Sequence, residues 1–226
     1  MNENIIPFKP KLPPKDPQKG RTYPPMINIP PVTKMGLIVM FLIHAIIALI
    51  SFTLFPPLKN IVLSFGGFVP ASFTGHLPFG WWVPPSIITY SVLHAGWVHL
   101  LINSVMFAAS ASGIERIWGA KRLLILFFGS SVIAALTHFA FYSTSAMPIV
   151  GASGGISGLF GALIYLMQNM RQDQGLWRIV LIWVGVTVVT GLMGGPQSDM
   201  PIAWLAHVGG FLGGIGLAMQ LQKKAL

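Results

Sequence analysis

Five long stretches of the chain carry no charged side chain, and this feature constrains the fold more than any other. They are Met35 to Leu58, Asn60 to Ile114, Leu123 to Met170, Ile179 to Ser198 and Met200 to Gln222. Each contains an apolar run long enough to cross the hydrocarbon core of a bilayer, which needs about 20 residues. Only 8% of the 226 residues are charged, too few to cover the surface of a soluble globule. The sequence therefore predicts an all-α, polytopic membrane protein.

Prolines, glycines and short charged segments divide the apolar runs into six predicted transmembrane helices. Their expected spans are about 35–55, 87–112, 123–142, 151–169, 179–193 and 201–221, which together form one domain of residues 35–222. Between the first two spans, Pro56 to Ser86 is rich in Gly, Pro and aromatic residues. This composition predicts a long apolar loop that lies partly in the membrane interface.

The positive charges are distributed unevenly along this predicted topology. With the N-terminus inside, 13 of the 14 Lys and Arg residues fall in inner segments, and only Lys59 falls outside. The positive-inside rule therefore predicts that both termini are cytoplasmic. The same placement argues against a nucleic-acid partner. The Lys and Arg residues behind the net charge of +9 lie mostly in residues 1–34 and between apolar runs, so they form no single phosphate-binding face.

Residues 1–34 form a separate region that is basic and rich in proline. The region holds six Lys and Arg residues and nine prolines, so it predicts a mostly disordered cytoplasmic tail. Three roles are open for it: a topology signal, a contact with anionic lipid, or a partner site. A topology signal is favoured.

A glycine-rich stretch opens the fourth predicted span, where Gly151 to Ala162 read GASGGISGLFGA. A serine flanked by glycines at a helix start can be approached closely by a substrate, and the free N–H groups of the first turn lie beside it. A nucleophile with an oxyanion site is commonly built in this way. The alternative is packing, because small residues at four-residue spacing, such as Gly154 and Gly158, also let membrane helices approach closely.

Polar side chains on two other helices are predicted to lie at the depth of Ser153. His99 and Asn103 are four residues apart and share one face of the second helix, while His207 lies about two turns into the sixth. His94 precedes His99 by five residues, roughly 140° around a helix, and is expected to face elsewhere.

Glycines on the sixth helix predict how His207 reaches the serine. Gly210 and Gly214 are four residues apart, so they form a face that can approach the glycine face of the fourth helix. A neutral imidazole beside a serine hydroxyl is what a general base requires. Spacing alone leaves the nucleophile open, because a second GxSG motif places Ser157 one turn, about 6 Å, deeper than Ser153.

These motifs together resemble those of the rhomboid family of intramembrane serine proteases, over about residues 35–222. The matching residues are His94, His99 and Asn103, then Glu115 with Gly119, then Gly151, Ala152, Ser153 and Gly154, and finally Ala206, His207, Gly210 and Gly214. The resemblance implies a rhomboid-like bundle of six transmembrane helices in which Ser153 is the nucleophile and His207 its base. It also implies that His99 and Asn103 donate to the oxyanion beside the backbone N–H of Ser153. Glu115 and the glycines are expected to pack or brace the fold.

The resemblance further implies what the protein acts on and where. The expected substrates are the transmembrane segments of other membrane proteins, cleaved near the outer face of a bacterial plasma membrane, with lipid as the other partner. A substrate is expected to enter past the fifth helix and the turn from Gly194 to Met200. No HExxH motif occurs, so a zinc protease is not expected, and no metal or cofactor is required.

Two questions stay open at this point. Many relatives carry an aromatic residue at the position of Ser157, so either Phe160 or Trp204 supports the imidazole of His207 instead, or the imidazole is held less firmly. The other function to consider is a non-catalytic membrane protein that binds client transmembrane helices. A proton-relaying transporter is less favoured, because the fourth and sixth spans contain no Asp, Glu, Lys or Arg.

Overall fold

The computed structural model describes residues 28–171 and 204–223, together with residues 178, 180, 181, 183 and 185. Its helices are α1 (Pro31–Thr53), α2 (Leu58–Gly66), α3 (Pro70–Phe73), α4 (Val83–Thr89), α5 (Trp97–Phe141), α6 (Ser153–Arg171) and α7 (Trp204–Lys223), with a short 3₁₀ helix, Tyr90–Val92, after α4. The only β pairing within these residues is an isolated bridge between Phe68 and Ile149. The expected all-α architecture is confirmed.

Three of the described helices, α1, α5 and α7, are long and apolar enough to cross a membrane. On α1, large apolar side chains such as Phe41, Ile46 and Leu49 are more than half exposed. In water such a stripe would be costly, because each apolar side chain left exposed forgoes about 1.5–3 kcal/mol of burial free energy. These surfaces therefore face lipid, as expected of an integral membrane protein.

Helix α5 consists of two antiparallel limbs, a first limb (97–118) and a second limb (120–141). Gly119 between them has φ 79° and ψ 171°, a positive-φ conformation that glycine adopts without a Cβ penalty. Phe107 and Phe127, on either side of the break, come together with their ring centroids 5.3 Å apart. In one straight helix, residues with this separation in sequence would lie about 30 Å apart. The chain therefore reverses at Gly119.

The centre of the bundle is α6, which packs between the two limbs of α5. A Cβ on Gly155 would lie 2.7 Å from the Phe127 ring of the second limb, and a Cβ on Gly113 of the first limb would lie 3.0 Å from Leu163. The main apolar core joins both limbs to α6 and includes the almost fully buried Leu159. The first turn of α6 is thus held deep in the bundle.

Helix α7 runs parallel to α6. A Cβ on Gly210 would meet the carbonyl oxygen of Gly154, and one on Gly214 would meet that of Gly158, so the contacts advance along both helices together. Against the second limb of α5 the order is reversed, because Gly209 meets Thr137 and Gly213 meets Ile133. The starts of α6 and α7 consequently lie at the same end of the bundle.

The segment between α1 and α5 differs from the long loop that was expected over 56–86. It folds into α2, α3 and α4, and prolines occupy the first turns of α3 and α4, where a missing N–H costs nothing. The backbone of Phe68 pairs with Ile149, and the N–H of Ala71 donates to the carbonyl of Ser145. The short helices therefore cover the end of the bundle at which α6 begins.

The second predicted span also begins later than expected, at Trp97 in place of about residue 87. Residues 83–92 form the separate α4 and 3₁₀ helices, after which Gly96 is fully extended, with φ −171°. A glycine inside a helix costs about 1 kcal/mol relative to alanine, so a break at this point is inexpensive. The other described helices begin or end within a few residues of the expected spans.

Several predictions fall on residues that the structure does not describe. These are the basic tail over 1–27, the fifth span apart from four isolated positions, and the turn from Gly194 to Met200.

Candidate active site

The first turn of α6 is shaped by Gly151. This residue has φ 124°, which favours glycine, and its N–H donates to the carbonyl of Tyr90 at 2.9 Å. A Cβ at Gly151 would lie 2.8 Å from the His99 ring and 3.7 Å from the Oγ of Ser153. The glycine therefore leaves an opening that the His99 ring and the Ser153 hydroxyl both border.

Ser153, the first residue of α6, is paired with a histidine from α7. Its Oγ lies 2.7 Å from Nε2 of His207, and both side chains are partly buried. An unprotonated Nε2 accepts the hydroxyl proton at this distance, which is the contact that a nucleophile and its general base require. Ser157, one turn deeper, is 6% exposed.

The glycine seam, which we define as Gly154 and Gly158 of α6 with Gly210 and Gly214 of α7, brings this pair together. A Cβ on Gly210 would lie 2.2 Å from the Gly154 carbonyl oxygen, and one on Gly214 would lie 2.0 Å from that of Gly158. Because real Cβ atoms do not approach so closely, any side chain at either position of α7 would push the helices apart. The seam therefore lies directly beneath the Ser153–His207 contact, and it sets the distance between α6 and α7 at that contact.

His99 and Asn103 both lie on the first limb of α5, as the sequence predicts. The His99 ring borders the opening at Gly151, while the Asn103 side chain is 4% exposed and donates from Nδ2 to the His99 carbonyl at 3.0 Å. An amide carries two N–H donors, so one remains for another acceptor. Both side chains offer donors at the end of α5 nearest Ser153.

The expectation that His94 faces away from His99 is wrong. His94 precedes α5 in the non-helical segment 93–96, so helical spacing does not apply to it. Its ring packs edge-to-face on His99, with centroids 5.2 Å apart, and it is 3% exposed. The ring of His94 therefore supports one side of His99.

Aromatic support for His207 does not come from Phe160. The Phe160 ring contacts Phe211 and Trp183, with centroids 6.3 and 6.1 Å away, and Trp183 stacks on Phe211 at 4.5 Å. Within the described part of the chain, no aromatic ring packs on the imidazole of His207. The hydrogen bond to Ser153 and the glycine seam are what hold the imidazole in the structure.

Tyr90 was not singled out by the sequence, yet it holds the site in place. Its carbonyl accepts from the N–H of Gly151, and its hydroxyl donates to the carbonyl of Ser131 at 2.7 Å. Burial raises the pKa of this hydroxyl, so it stays a neutral donor. The sequence did offer one indication of this role, because a buried tyrosine in an apolar segment needs a hydrogen-bond partner for its hydroxyl.

Glu115 lies on the first limb of α5 at the opposite end of the bundle, where it caps α1. Its carboxylate accepts hydrogen bonds from the N–H of Val32 and from the N–H and Oγ1 of Thr33, at 2.7–2.9 Å. These are first-turn N–H groups of α1, which have no partner inside the helix. The bracing role expected for Glu115 has this physical basis.

Comparisons with known proteins identify the family. Residues 78–224, about two thirds of the chain, match the model of the Rhomboid domain. The chain belongs to the rhomboid family. The family expected from the four motifs is thereby confirmed.

Individual rhomboid proteins are similar to this chain over a little more than half of its length. The putative rhomboid protease YdcA of Bacillus subtilis is 32% identical over 149 residues, which cover 64% of this chain and 69% of YdcA. The rhomboid protease GluP of the same organism is 28% identical over 62% of this chain but only 26% of GluP. Rhomboid-like protease 5 of Toxoplasma gondii is 30% identical over 54% of this chain and 14% of its own length. The rhomboid relatives support intramembrane protease function in general.

Proposed function

We propose that this rhomboid protein is an intramembrane serine endopeptidase that uses a dyad of Ser153 and His207. The observation that carries the proposal is the 2.7 Å contact between Ser153 Oγ and His207 Nε2 at the start of α6. Glu115, at the opposite end of the bundle from this contact, is the only Asp or Glu among the described residues. A dyad without an acid is therefore the arrangement that fits this site.

In the proposed reaction, Ser153 Oγ attacks the scissile carbonyl while His207 Nε2 takes the hydroxyl proton. The tetrahedral intermediate collapses when His207 returns this proton to the leaving amine, which breaks the C–N bond and leaves an ester on Ser153. Water then attacks the ester while His207 accepts its proton, and His207 returns this proton to Ser153 Oγ, which leaves as the free hydroxyl. One water is consumed for each peptide bond cleaved.

The oxyanion of the intermediate would accept hydrogen bonds from His99, Asn103 and the backbone N–H of Ser153. The His99 ring supports this role because it borders the same opening as the Ser153 hydroxyl. The N–H of Ser153 belongs to the first turn of α6, where N–H groups lack helical partners and the helix dipole favours negative charge.

The proposed substrates are transmembrane segments of other proteins, cut near the outer face of the membrane. The proposed topology has six spans with both termini cytoplasmic, in a bacterial plasma membrane, and residues 35–222 as the protease domain. A membrane helix has its carbonyls hydrogen-bonded, so a substrate must unwind locally before Ser153 can attack. We therefore expect small or helix-destabilising residues at the cleaved bond.

Cleavage of a reporter transmembrane helix by the full-length protein in lipid vesicles tests this proposal. Ser153→Ala and His207→Ala are expected to lower kcat by about 10⁴-fold or more, and Asn103→Ala by about 10²-fold. The matched control is Ser157→Ala, which removes the neighbouring serine and is expected to cleave at nearly the wild-type rate. The masses of the two fragments give the depth of the cut.

Undiminished cleavage by Ser153→Ala would overturn the dyad. Binding of the reporter without cleavage, by the wild type in every lipid composition, would favour the non-catalytic protein that binds client helices.

A further inference from the structure

A recess that Ser153 does not line lies between α1 and the two limbs of α5. We call it the α1 groove. Its volume is about 190 Å³, and every lining residue is apolar. The lining residues that matter here are Gly36 and Met40 of α1, Phe107 of the first limb, and Leu123, Leu124 and Phe127 of the second. No feature of the proposed protease mechanism uses this groove.

The groove has a buried floor and an open side. Met40 and Leu123 are 2% and 1% exposed, whereas Leu124 on the rim is 42% exposed. Gly36 helps to form the recess, because a Cβ there would lie 2.8 Å from the Phe107 ring and would fill part of the space. On α1 the lining runs from Val32 to Met40, about 12 Å along the helix axis.

One end of the groove is rich in cations. Lys34 lies in the first turn of α1, on the helix face away from the groove, and Lys121 and Arg122 directly precede the lining residue Leu123 in the second limb. The hydrogen bonds between Thr33 and Glu115 hold the start of α1 beside the end of the first limb, so these cations share one end of the bundle.

The cations outnumber the carboxylates at this end. Glu115 is the only carboxylate side chain among the described residues, and it is occupied by Val32 and Thr33. Two of the cations already have partners, since the guanidinium of Arg122 lies over the Trp118 ring and Arg116 donates to the carbonyl of Asn28. Lys34 and Lys121 are both exposed. Lys121, two residues before the lining residue Leu123, therefore gives this end of the groove an exposed cation. An apolar groove with a lysine at its end suits an amphiphile with a negative head.

We propose that the α1 groove binds one acyl chain of an anionic membrane phospholipid, with its phosphate beside Lys121. A cavity of roughly 150 Å³ can hold benzene, so this groove accommodates a chain segment of about six carbons and leaves the rest of the lipid in the bilayer. A juxtamembrane lysine contributes about 1 kcal/mol to the binding of anionic lipid. The recessed apolar groove adds a fixed position to this attraction.

Native mass spectrometry of the full-length protein tests the proposal. The detergent-solubilised protein is mixed with equal amounts of phosphatidylglycerol and phosphatidylcholine that carry the same acyl chains. The wild type is expected to retain one phosphatidylglycerol. Lys121→Gln is expected to weaken that retention about fivefold, the equivalent of about 1 kcal/mol.

Two matched controls distinguish lipid binding in the groove from nonspecific electrostatic attraction of anionic lipid. Lys223→Gln removes a cation from the exposed end of α7, outside the groove, and is expected to leave retention unchanged. Leu124→Trp fills the rim and is expected to abolish retention, whereas Ile125→Trp changes the next residue, 39% exposed and outside the lining, and is expected to preserve it.

Four outcomes would overturn the proposal. One is equal loss in Lys121→Gln and Lys223→Gln, which would indicate diffuse electrostatic attraction only. Another is unaltered retention in Leu124→Trp. A dimer mass that Leu124→Trp dissociates would identify a second copy of the chain as the occupant. Retention that appears only after residues 1–27 are removed would identify that segment as the occupant.

Discussion

The helices on the two sides of α5 pack in opposite ways. On one side, α6 and α7 pack backbone against backbone, because a Cβ on Gly214 would lie 2.0 Å from the Gly158 carbonyl oxygen. On the side of α1, large side chains meet across the α1 groove of about 190 Å³. The contact between Ser153 and His207 lies on the close-packed side.

The two kinds of helix packing suit different roles. A hydrogen bond between side chains on two helices needs a fixed helix separation, and glycines set the shortest separation possible. Helix α1 is fastened at one end by the hydrogen bonds of Glu115, and the α1 groove beside it leaves space that lipid can fill. The protein therefore combines a closely packed glycine seam with a first helix that leaves an open groove beside it.

The largest expected effect comes from adding a methyl group to the glycine seam. Gly214→Ala places a Cβ against the carbonyl of Gly158, and neither backbone can give way. We expect a loss of about 3 kcal/mol or more in the free energy of unfolding, at the upper end of overpacking costs. Unfolding in mixed detergent micelles measures it.

The matched control for that prediction is Gly216→Ala, two residues further along α7. A Cβ at Gly216 would have no heavy atom within 4 Å. We expect a gain of up to about 1 kcal/mol from the higher helix propensity of alanine. Equal effects of the two substitutions would refute the close-packed seam.

A smaller effect is expected where α1 is fastened. Glu115→Ala removes the acceptor of three hydrogen bonds at the start of α1, and we expect the free energy of unfolding to fall by about 2 kcal/mol. Thr33→Val, which removes one of the three donors, should cost about 1 kcal/mol. The cleavage rate of the folded protein should not change. A loss of cleavage without a loss of stability would show that the two sides are coupled.

The smallest effect is expected in the α1 groove. Gly36→Ala brings a Cβ to within 2.8 Å of the Phe107 ring, but this ring borders an open cavity and can move. We expect a change in the free energy of unfolding of less than about 1 kcal/mol, because the gain in helix propensity offsets the local adjustment. A loss as large as that of Gly214→Ala would mean that α1 is as tightly packed as the seam.

Much of this arrangement is readable from the sequence. Apolar stretches without charges predict the membrane helices, and the glycines at 154, 158, 210 and 214 predict a close approach of two of them. From that approach, the proximity of His207 to Ser153 follows. Spacing along a single helix also predicts the shared face of His99 and Asn103.

Other features depend on tertiary contacts that spacing does not report. The segment before α5 is rich in glycine and proline, so the sequence favours a loop, yet burial of Phe68 and Tyr90 holds it as short helices. His94 cannot be placed from helical periodicity because it lies outside the helix. The α1 groove arises where side chains fail to fill a space, and a sequence does not reveal empty volume.

The central claim is that Ser153, activated by His207, is the nucleophile. A fluorophosphonate that reacts with activated serines, followed by mass mapping of the labelled peptide, tests it most directly. We predict a single adduct on Ser153 that disappears in His207→Ala and persists in Ser157→Ala. An adduct on Ser157, or labelling of Ser153 that does not depend on His207, would contradict the dyad.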